Sequence, residues 1–296
     1  MPQLDFGWVT QPVVRANMEP DDLLEYNRAS IRALSSHFST VWVEDHLQWG
    51  DRPMLEALVT MSFLAAEFQA YRIGAIVLGQ SYRNPALLAK MAATLHYLSG
   101  GRCIMGIGAG WKVDEYKAYG YSFPSAKVRM EELAETIQIF RAMWTQSPAS
   151  FPGQHYHIEQ AYCSPRPDPM IPILVGGGGE KLTLRVVAEH ADAWNVNLCT
   201  PEVYRHKLEV LHQHCQEVGR NPDEIQLTYY ADIDLPRDAS TFGQNAERYV
   251  IGPTPKDAVE QLRPFVELGV SHIMIRTTNI ETLERFRDEV APALVQ

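Results

Sequence analysis

Glu44, Asp45 and His46 close the β-branched and aromatic run at residues 40–44 (TVWVE), which places an imidazole with a carboxylate beside it at a strand end. A neutral imidazole there can donate to a ring atom of a ligand, while Asp45 or a backbone carbonyl fixes its other nitrogen in one tautomer. The plainer reading is a strand-end histidine that serves only as a structural hydrogen bonder. Gly176, Gly177, Gly178 and Gly179 follow the apolar run 173–175 and precede a helical stretch. Consecutive glycines expose main-chain N–H groups and the following helix adds its dipole, so this turn suits an anion such as a phosphate. Its plainer reading is a tight, flexible turn. Gly106, Gly108 and Gly110, with Trp111 after them, end the run 103–107 with small residues that let a ligand approach the backbone. They look like part of a dinucleotide fingerprint, but no acidic residue is clearly placed about 20 positions on, and the strand is the fourth. A nicotinamide site is therefore disfavoured.

Other candidates fall away on spacing. His155/His157 and His212/His214 are two residues apart, which on a helix, as for the second pair, turns the rings to different faces, so no metal site is expected. Cys103, Cys163, Cys199 and Cys215 form no C-x-x-C pair and read as free thiols of a reducing compartment. There is no G-x-S-x-G elbow. Most of the six tryptophans read as core, whereas Trp8 and Trp111 lie near strand ends and can wall a ring-shaped ligand.

The elements that position these groups are read from periodicity and punctuation. Residues 73–78 are a β-branched run, 84–98 an Ala/Leu-rich helix and 103–107 a second buried run. Asn84 caps that helix, Pro85 starts it, and Ser99-Gly100-Gly101 stops it. Strand, helix and strand make a βαβ unit with parallel strands. Before it lie a strand at 4–10, a helix from Asp21-Asp22 to about Phe38, the strand 40–44 and a helix at 54–69. After it come a helix at 126–144, a hairpin excursion at 151–163, and an extended connector bearing Pro165, Pro167, Pro169 and Pro172. Strands at 173–175, 193–198, 225–235 and 272–276 then alternate with helices at 181–190, 201–218, 254–268 and 281–294. Eight strands alternating with eight helices predict a parallel (β/α)8 TIM barrel, one domain over residues 1–296, with the hairpin between the fourth helix and the fifth strand. A doubly wound sheet is disfavoured, because the first strand has no Gly-rich phosphate turn.

Composition sets the outer limits. Acidic residues number 36 against 26 basic ones, a net charge of −10, which argues against wrapping nucleic acid. No apolar run reaches the roughly 18–20 residues of a membrane helix. The start, MPQLDFGWVT, lacks a basic region followed by an apolar one, so no secretory leader is expected and the cytoplasm is the default compartment.

The stretch RIGAIVLGQSYRNPALLAKMAATLHYLSGGRCIMGIGAGW, then EYKAYGYSFP, then PILVGGGGEK and ADAWN, together resemble the luciferase-like monooxygenase superfamily. They look closest to its coenzyme F-420 (F420)-dependent oxidoreductase subgroup. The resemblance implies a barrel that binds deazaflavin or reduced flavin at the carboxyl ends of its strands. It puts His46 close to the coenzyme ring with Asp45 beside it, a non-proline cis peptide at Ala75–Ile76 under the ring, and the coenzyme phosphate on Gly176–Gly179. Gly108, Gly110 and Trp111 complete the implied cofactor site. Trp111 stands where some deazaflavin dehydrogenases carry a catalytic glutamate, so their sugar-phosphate mechanism does not transfer directly. The nearby Asp114 and Glu115 read as solvated helix-start residues. The implied activity is hydride transfer between reduced F420 and a small organic substrate, in a homodimer. An FMN-dependent monooxygenase using reduced flavin and oxygen is the alternative, and a non-catalytic flavin-binding barrel is the second.

Overall fold

Eight parallel strands close into a barrel in the computed structural model, which describes residues 4–14, 18–243 and 248–295. In chain order they are β1 (Asp5–Val9), β2 (Phe38–Val43), β3 (Arg72–Ala75), β4 (Cys103–Gly108), β5 (Ile173–Gly176), β6 (Ala193–Asn197), β7 (Gln226–Ile233) and β8 (His272–Arg276). Each pairs with the next, and β8 returns to β1 with Asp5 opposite His272, so no edge is left open. The helices α1 (Asp22–Arg32), α2 (Ala57–Glu67), α3 (Pro85–Leu98), α4 (Val113–Ala118), α5 (Ala126–Thr145), α6 (Thr183–His190), α7 (Pro201–Val218), α8 (Pro255–Glu267) and α9 (Ile280–Arg285) follow the strands, and α4 is an extra helix in the loop after β4. The expected hairpin is present, with Ala149–Pro152 antiparallel to His157–Ala161.

Local chemistry explains where several elements start and stop. Asn84 Oδ1 accepts from the N–H groups of Ala86 and Leu87 at 3.0 and 3.2 Å, and Pro85 opens α3 without a wasted donor. Gly100 and Gly101, with φ of 68° and 86°, take the left-handed turn that ends it. Tertiary pairing overrides the local pattern elsewhere. The helix expected to reach Phe38 stops at Arg32, because Phe38 pairs beside Phe6 in β2 and its ring packs near Phe6 and Phe286 at 5.9 and 6.3 Å.

The strand expected over 73–78 is interrupted. It runs to Ala75, bulges at Ile76 and Val77, and resumes as Leu78–Gly79 alongside the end of β4. The non-proline cis peptide lies at Ile76–Val77, one residue later than Ala75–Ile76. This bulge also accounts for part of the glycine pattern of β4. A Cβ on Gly106 would lie 1.8 Å from the Ala75 carbonyl oxygen, and one on Gly108 or Gly176 would lie 2.8 Å from a Val77 methyl. Those glycines admit the third strand's own backbone and side chain.

Two apolar layers hold the barrel. The outer one packs the helices on the sheet and includes Trp8; the inner one fills the lumen with Val9, Trp42, Ile104, Leu174, Tyr230 and Met274 among others. Trp42 lies so close over Gly7 and Gly74 that a Cβ at either position would come within 2.4 Å of its ring. Below it, His272 Nδ1 bonds Asp5 at 2.5 Å and its Nε2 meets Thr40 Oγ1 and Trp42 Nε1 at 3.0 and 3.2 Å, closing the amino-terminal end.

Candidate active site

At the other end of the strands a cleft of about 910 Å³ opens, and most sequence-predicted site residues line it. His46, Ile76, Gly108, Gly110, Trp111, Gly176, Gly177 and Gly179 do so, and Asp45 reaches it; Ala75 and Gly178 are not among its lining residues. The volume is in the range of sites for cofactors and small molecules.

His46 is half-buried just beyond β2, and its partner is Glu115 on α4, not Asp45. Its Nδ1 lies 3.1 and 3.2 Å from the two Glu115 carboxylate oxygens. Glu115 is fully buried, which corrects the reading of it as a solvated helix-start residue. It also accepts from the Leu47 and Gln48 N–H groups at 3.1 and 3.3 Å and from the Tyr82 hydroxyl at 2.8 Å. Burial alone would raise its pKa; the His46 imidazole, then Tyr82 and the Gln48 N–H, outweigh that and hold it below the ordinary value. The Tyr82 phenol is pushed up, by burial and then by Glu115, so it remains a donor.

An ionised carboxylate accepts only, so His46 carries its proton on Nδ1 and the neutral ring presents Nε2 as an acceptor. That changes the expected role: neutral His46 cannot donate to a ligand from Nε2, but it can take a proton there, and Glu115 stabilises the cation that results. Nε2 has no hydrogen-bond partner among the described residues. Trp49 and Trp111 meet the imidazole edge-on, with centroids 5.2 and 5.8 Å away. Trp111 thus lies at the cleft as expected, while Trp49, read as core, joins it and the buried Trp8 does not.

Asp45 is buried and engaged elsewhere. Its carboxylate takes a two-pronged bond from Arg83 at 2.8 and 2.9 Å and a bond from the Gly79 N–H at 2.9 Å. Arg83 also reaches Glu56, the N-cap of α2. Asp45 therefore ties the His46 loop to the resumed third strand.

The glycine turn after β5 is left open on its main-chain side. The Gly177 N–H bonds the Asn195 carbonyl at 2.9 Å, so it is already spent. The N–H groups of Gly178, Gly179 and Glu180 have no partner among the described residues, and α6 begins just beyond, with no side-chain cap. The Gly177 and Gly178 carbonyls are pinned by Trp194 Nε1 at 2.9 Å and Lys207 Nζ at 2.7 Å, which fixes the turn.

The wall formed by the ends of β2, β7 and β8 was not read from the sequence. Tyr230 donates to Glu44 at 2.8 Å, and Arg276 grips Asp232 through Nε and one terminal nitrogen at 2.5 and 2.6 Å. Its other terminal nitrogen is 3.5 Å from Glu44.

Comparison with known proteins matches this geometry to a family. Residues 4–269 fit the family model described as luciferase-like monooxygenase. Among curated relatives, the F420-dependent glucose-6-phosphate dehydrogenase of Amycolatopsis mediterranei (strain U-32) is 29% identical, covering 93% of this chain and 95% of that protein. Its namesake from Intrasporangium calvum is 28% identical with the same coverage. Among solved structures, an F420-dependent secondary alcohol dehydrogenase in complex with an F420-acetone adduct superposes with a TM-score of 0.84 at 18% identity, over 99% of both chains. The coenzyme F420-dependent tetrahydromethanopterin reductase from Methanopyrus kandleri gives 0.82 at 17% identity, again over 99% of both. At these identities the structural likeness establishes the shared barrel.

Proposed function

The chain belongs to the luciferase-like monooxygenase family, and we propose that it is an oxidoreductase moving a hydride between F420 and a small organic substrate. The observation that carries this reading is the cleft's division of labour. An imidazole with Nδ1 locked and Nε2 open stands at one side, and a glycine turn with N–H groups that have no partner among the described residues stands at the other. The sequence relatives named F420-dependent dehydrogenases support the same cofactor.

The residues present fit such a coenzyme. The Gly179 and Glu180 N–H groups, which line the cleft, would hold its phosphate, and the apolar Ile76–Val77 bulge would support its ring. When bound, a deazaflavin supplies two-electron hydride chemistry without activating oxygen. The chain supplies orientation, exclusion of water and a proton path. In the oxidising direction His46 Nε2 takes the substrate's hydroxyl proton and the Glu115 carboxylate stabilises the resulting imidazolium; in the reducing direction the same atom returns it. Asp45 acts one step back, by holding the loop that carries His46.

Equilibrium binding of F420 and FMN to the purified protein, side by side, tests the cofactor. F420 binding followed by its reduction or oxidation with a small substrate is expected. FMN binding with oxygen consumption would favour the monooxygenase, and flavin binding without turnover the storage barrel.

We further propose a homodimer through α2 and α3. Val59, Phe63, Leu87, Met91, Tyr97 and Leu98 are all exposed on these two helices, with Val59 and Leu98 at 71% and 75%. A helix as apolar all round as α2 is normally covered. Light scattering of Phe63→Glu should show a monomer where the wild type is a dimer. The free cysteines support a reducing, cytoplasmic setting, and no described helix is long and apolar enough to cross a membrane.

A further inference from the structure

The cleft's cations are unevenly engaged, and this bears on the substrate, given the cofactor assignment above. β2 and β8 lie three strands from β5 in either direction around the ring, so the Glu44–Arg276 wall faces the barrel mouth across from the glycine turn. On that wall Arg276 is not available to an anion. Asp232 occupies one edge of its guanidinium, the two-nitrogen fork that otherwise grips a phosphate, at 2.5 and 2.6 Å. Glu44 lies 3.5 Å from its remaining nitrogen and already takes the Tyr230 hydroxyl. Arg248, the other cation here, is itself 3.6 Å from Asp232. Two carboxylates thus offset two arginines, and the wall offers an anion no net charge.

The other lining cations do not change this. Lys112 pairs with Asp114, and Arg52 is exposed at the rim. Lys181 and Arg129 have no ion pair among the described residues; the first follows the glycine turn, and the second precedes Met130, whose sulfur takes the Thr183 hydroxyl at 3.4 Å. Arg129 is engaged otherwise, its guanidinium 3.8 Å from the Phe123 ring centroid and giving a hydrogen bond to the Pro124 carbonyl at 2.6 Å, so the freer of the two is Lys181, beside the turn where the cofactor's phosphate is assigned.

We infer that the substrate is an uncharged hydroxyl or carbonyl compound, and that Asp232, by occupying Arg276, is the residue that excludes phosphate esters. This departs from the glucose 6-phosphate named for the sequence relatives. Asp232 acts through Arg276 and is a specificity-positioning residue.

The test uses inorganic phosphate and glucose 6-phosphate against the F420-saturated protein, so that the glycine turn is already filled. Wild type should bind neither ester nor ion with a Kd below roughly 1 mM, while small secondary alcohols are turned over. Asp232→Asn frees the guanidinium fork and should tighten phosphate binding by roughly 10–100-fold, the scale of a hydrogen bond to a charged group. Asp232→Glu restores the carboxylate and should reverse the gain, which a merely structural residue would not do. Turnover of glucose 6-phosphate by wild type, or phosphate affinity unchanged in Asp232→Asn, would overturn the inference. If F420 does not bind, the cofactor reading fails separately, and the difference between Asp232→Asn and wild type is read by calorimetry on the apo-protein, where the glycine turn contributes equally to both. If Asp232→Asn does not fold, binding and turnover by wild type decide the matter alone.

Discussion

His272 and His46 stand at opposite ends of the barrel, and each bonds a carboxylate through Nδ1: His272 to Asp5 at 2.5 Å, His46 to Glu115 at 3.1 and 3.2 Å. In both pairs burial would raise the carboxyl's pKa, and the histidine, helped by Ser39 at Asp5 and by Tyr82 and the Gln48 N–H at Glu115, holds it below the ordinary value instead. They part at the second nitrogen. His272 Nε2 is used up by Thr40 and Trp42 beneath a packed tryptophan, whereas His46 Nε2 has no partner among the described residues and faces a cleft of about 910 Å³. A histidine–carboxylate pair is therefore no mark of chemistry in itself. What distinguishes the site is an acceptor left open next to space for a ligand, and at the sealed end the same pair holds strands together.

The sharpest way to break that contrast is to remove charge from the open pair. Glu115→Gln keeps the side chain's shape but loses the anion that stabilises a protonated His46. Turnover should fall on the order of 10²-fold or more, the contribution of a positioned acid–base group, with cofactor affinity largely kept. Steady-state rates beside a binding titration would show it; a loss of binding alone would make Glu115 a structural residue.

The sealed pair should respond in the opposite sense. His272→Ala removes the ring that links Thr40 and Trp42 to Asp5, leaving the buried Thr40 and Trp42 only their bond to each other and the part-exposed Asp5 only Ser39, and should cost about 2–3 kcal/mol of stability. The folded fraction should keep its cofactor affinity and turnover, as denaturant titration combined with activity per folded molecule will reveal.

A smaller effect is expected at the glycine turn. Gly177→Val would mix binding with backbone strain, because Gly177 has φ of 129°. Gly179 has no such φ and lines the cleft; a Cβ there would crowd the Thr183 hydroxyl at 2.7 Å, a side chain that can turn away, so Gly179→Ala tests the approach of the phosphate more cleanly. F420 affinity should fall about tenfold, roughly the value of one hydrogen bond to a charged group; unchanged affinity would remove the turn from the phosphate site.

The smallest effect is on acid stability. The native Glu115 pKa is depressed, so its carboxylate contributes stability above the unfolded value of about 4.3 that is lost as pH falls through the native one. Melting temperatures of wild type and Glu115→Gln should therefore converge as the pH is lowered from about 5 to 3.

What the sequence disclosed about the barrel was mostly local. Asn84-Pro85 and Gly219 bound α3 and α7, and the spans of α7 and β8 can be read to the residue, because caps and periodicity are properties of neighbouring residues. The glycine turn and His46 were placed on strand ends for the same reason. The partner of His46 was not legible, since Glu115 is 69 positions away and is brought in by an extra helix in the loop after β4. The acidic residue next to the histidine in the chain, Asp45, drew attention away from the one next to it in space. Gly106 and Gly108 misled in a related way. Their small size reads as room for a ligand, whereas the third strand's bulge needs that room first. The compensated Arg276 wall likewise depends on three strands meeting, which no short window of residues reveals.

In the proposed mechanism His46 Nε2 handles the substrate's proton while the glycine turn and the Ile76–Val77 bulge hold the coenzyme. Single-turnover oxidation of bound reduced F420 by a working carbonyl acceptor, in wild type and His46→Ala at matched cofactor saturation, tests it most directly. The chemical step should slow by about 10²–10⁴, with F420 affinity within a few-fold of wild type. An unchanged rate in His46→Ala would contradict it and leave His46, like His272, a hydrogen bonder of the fold.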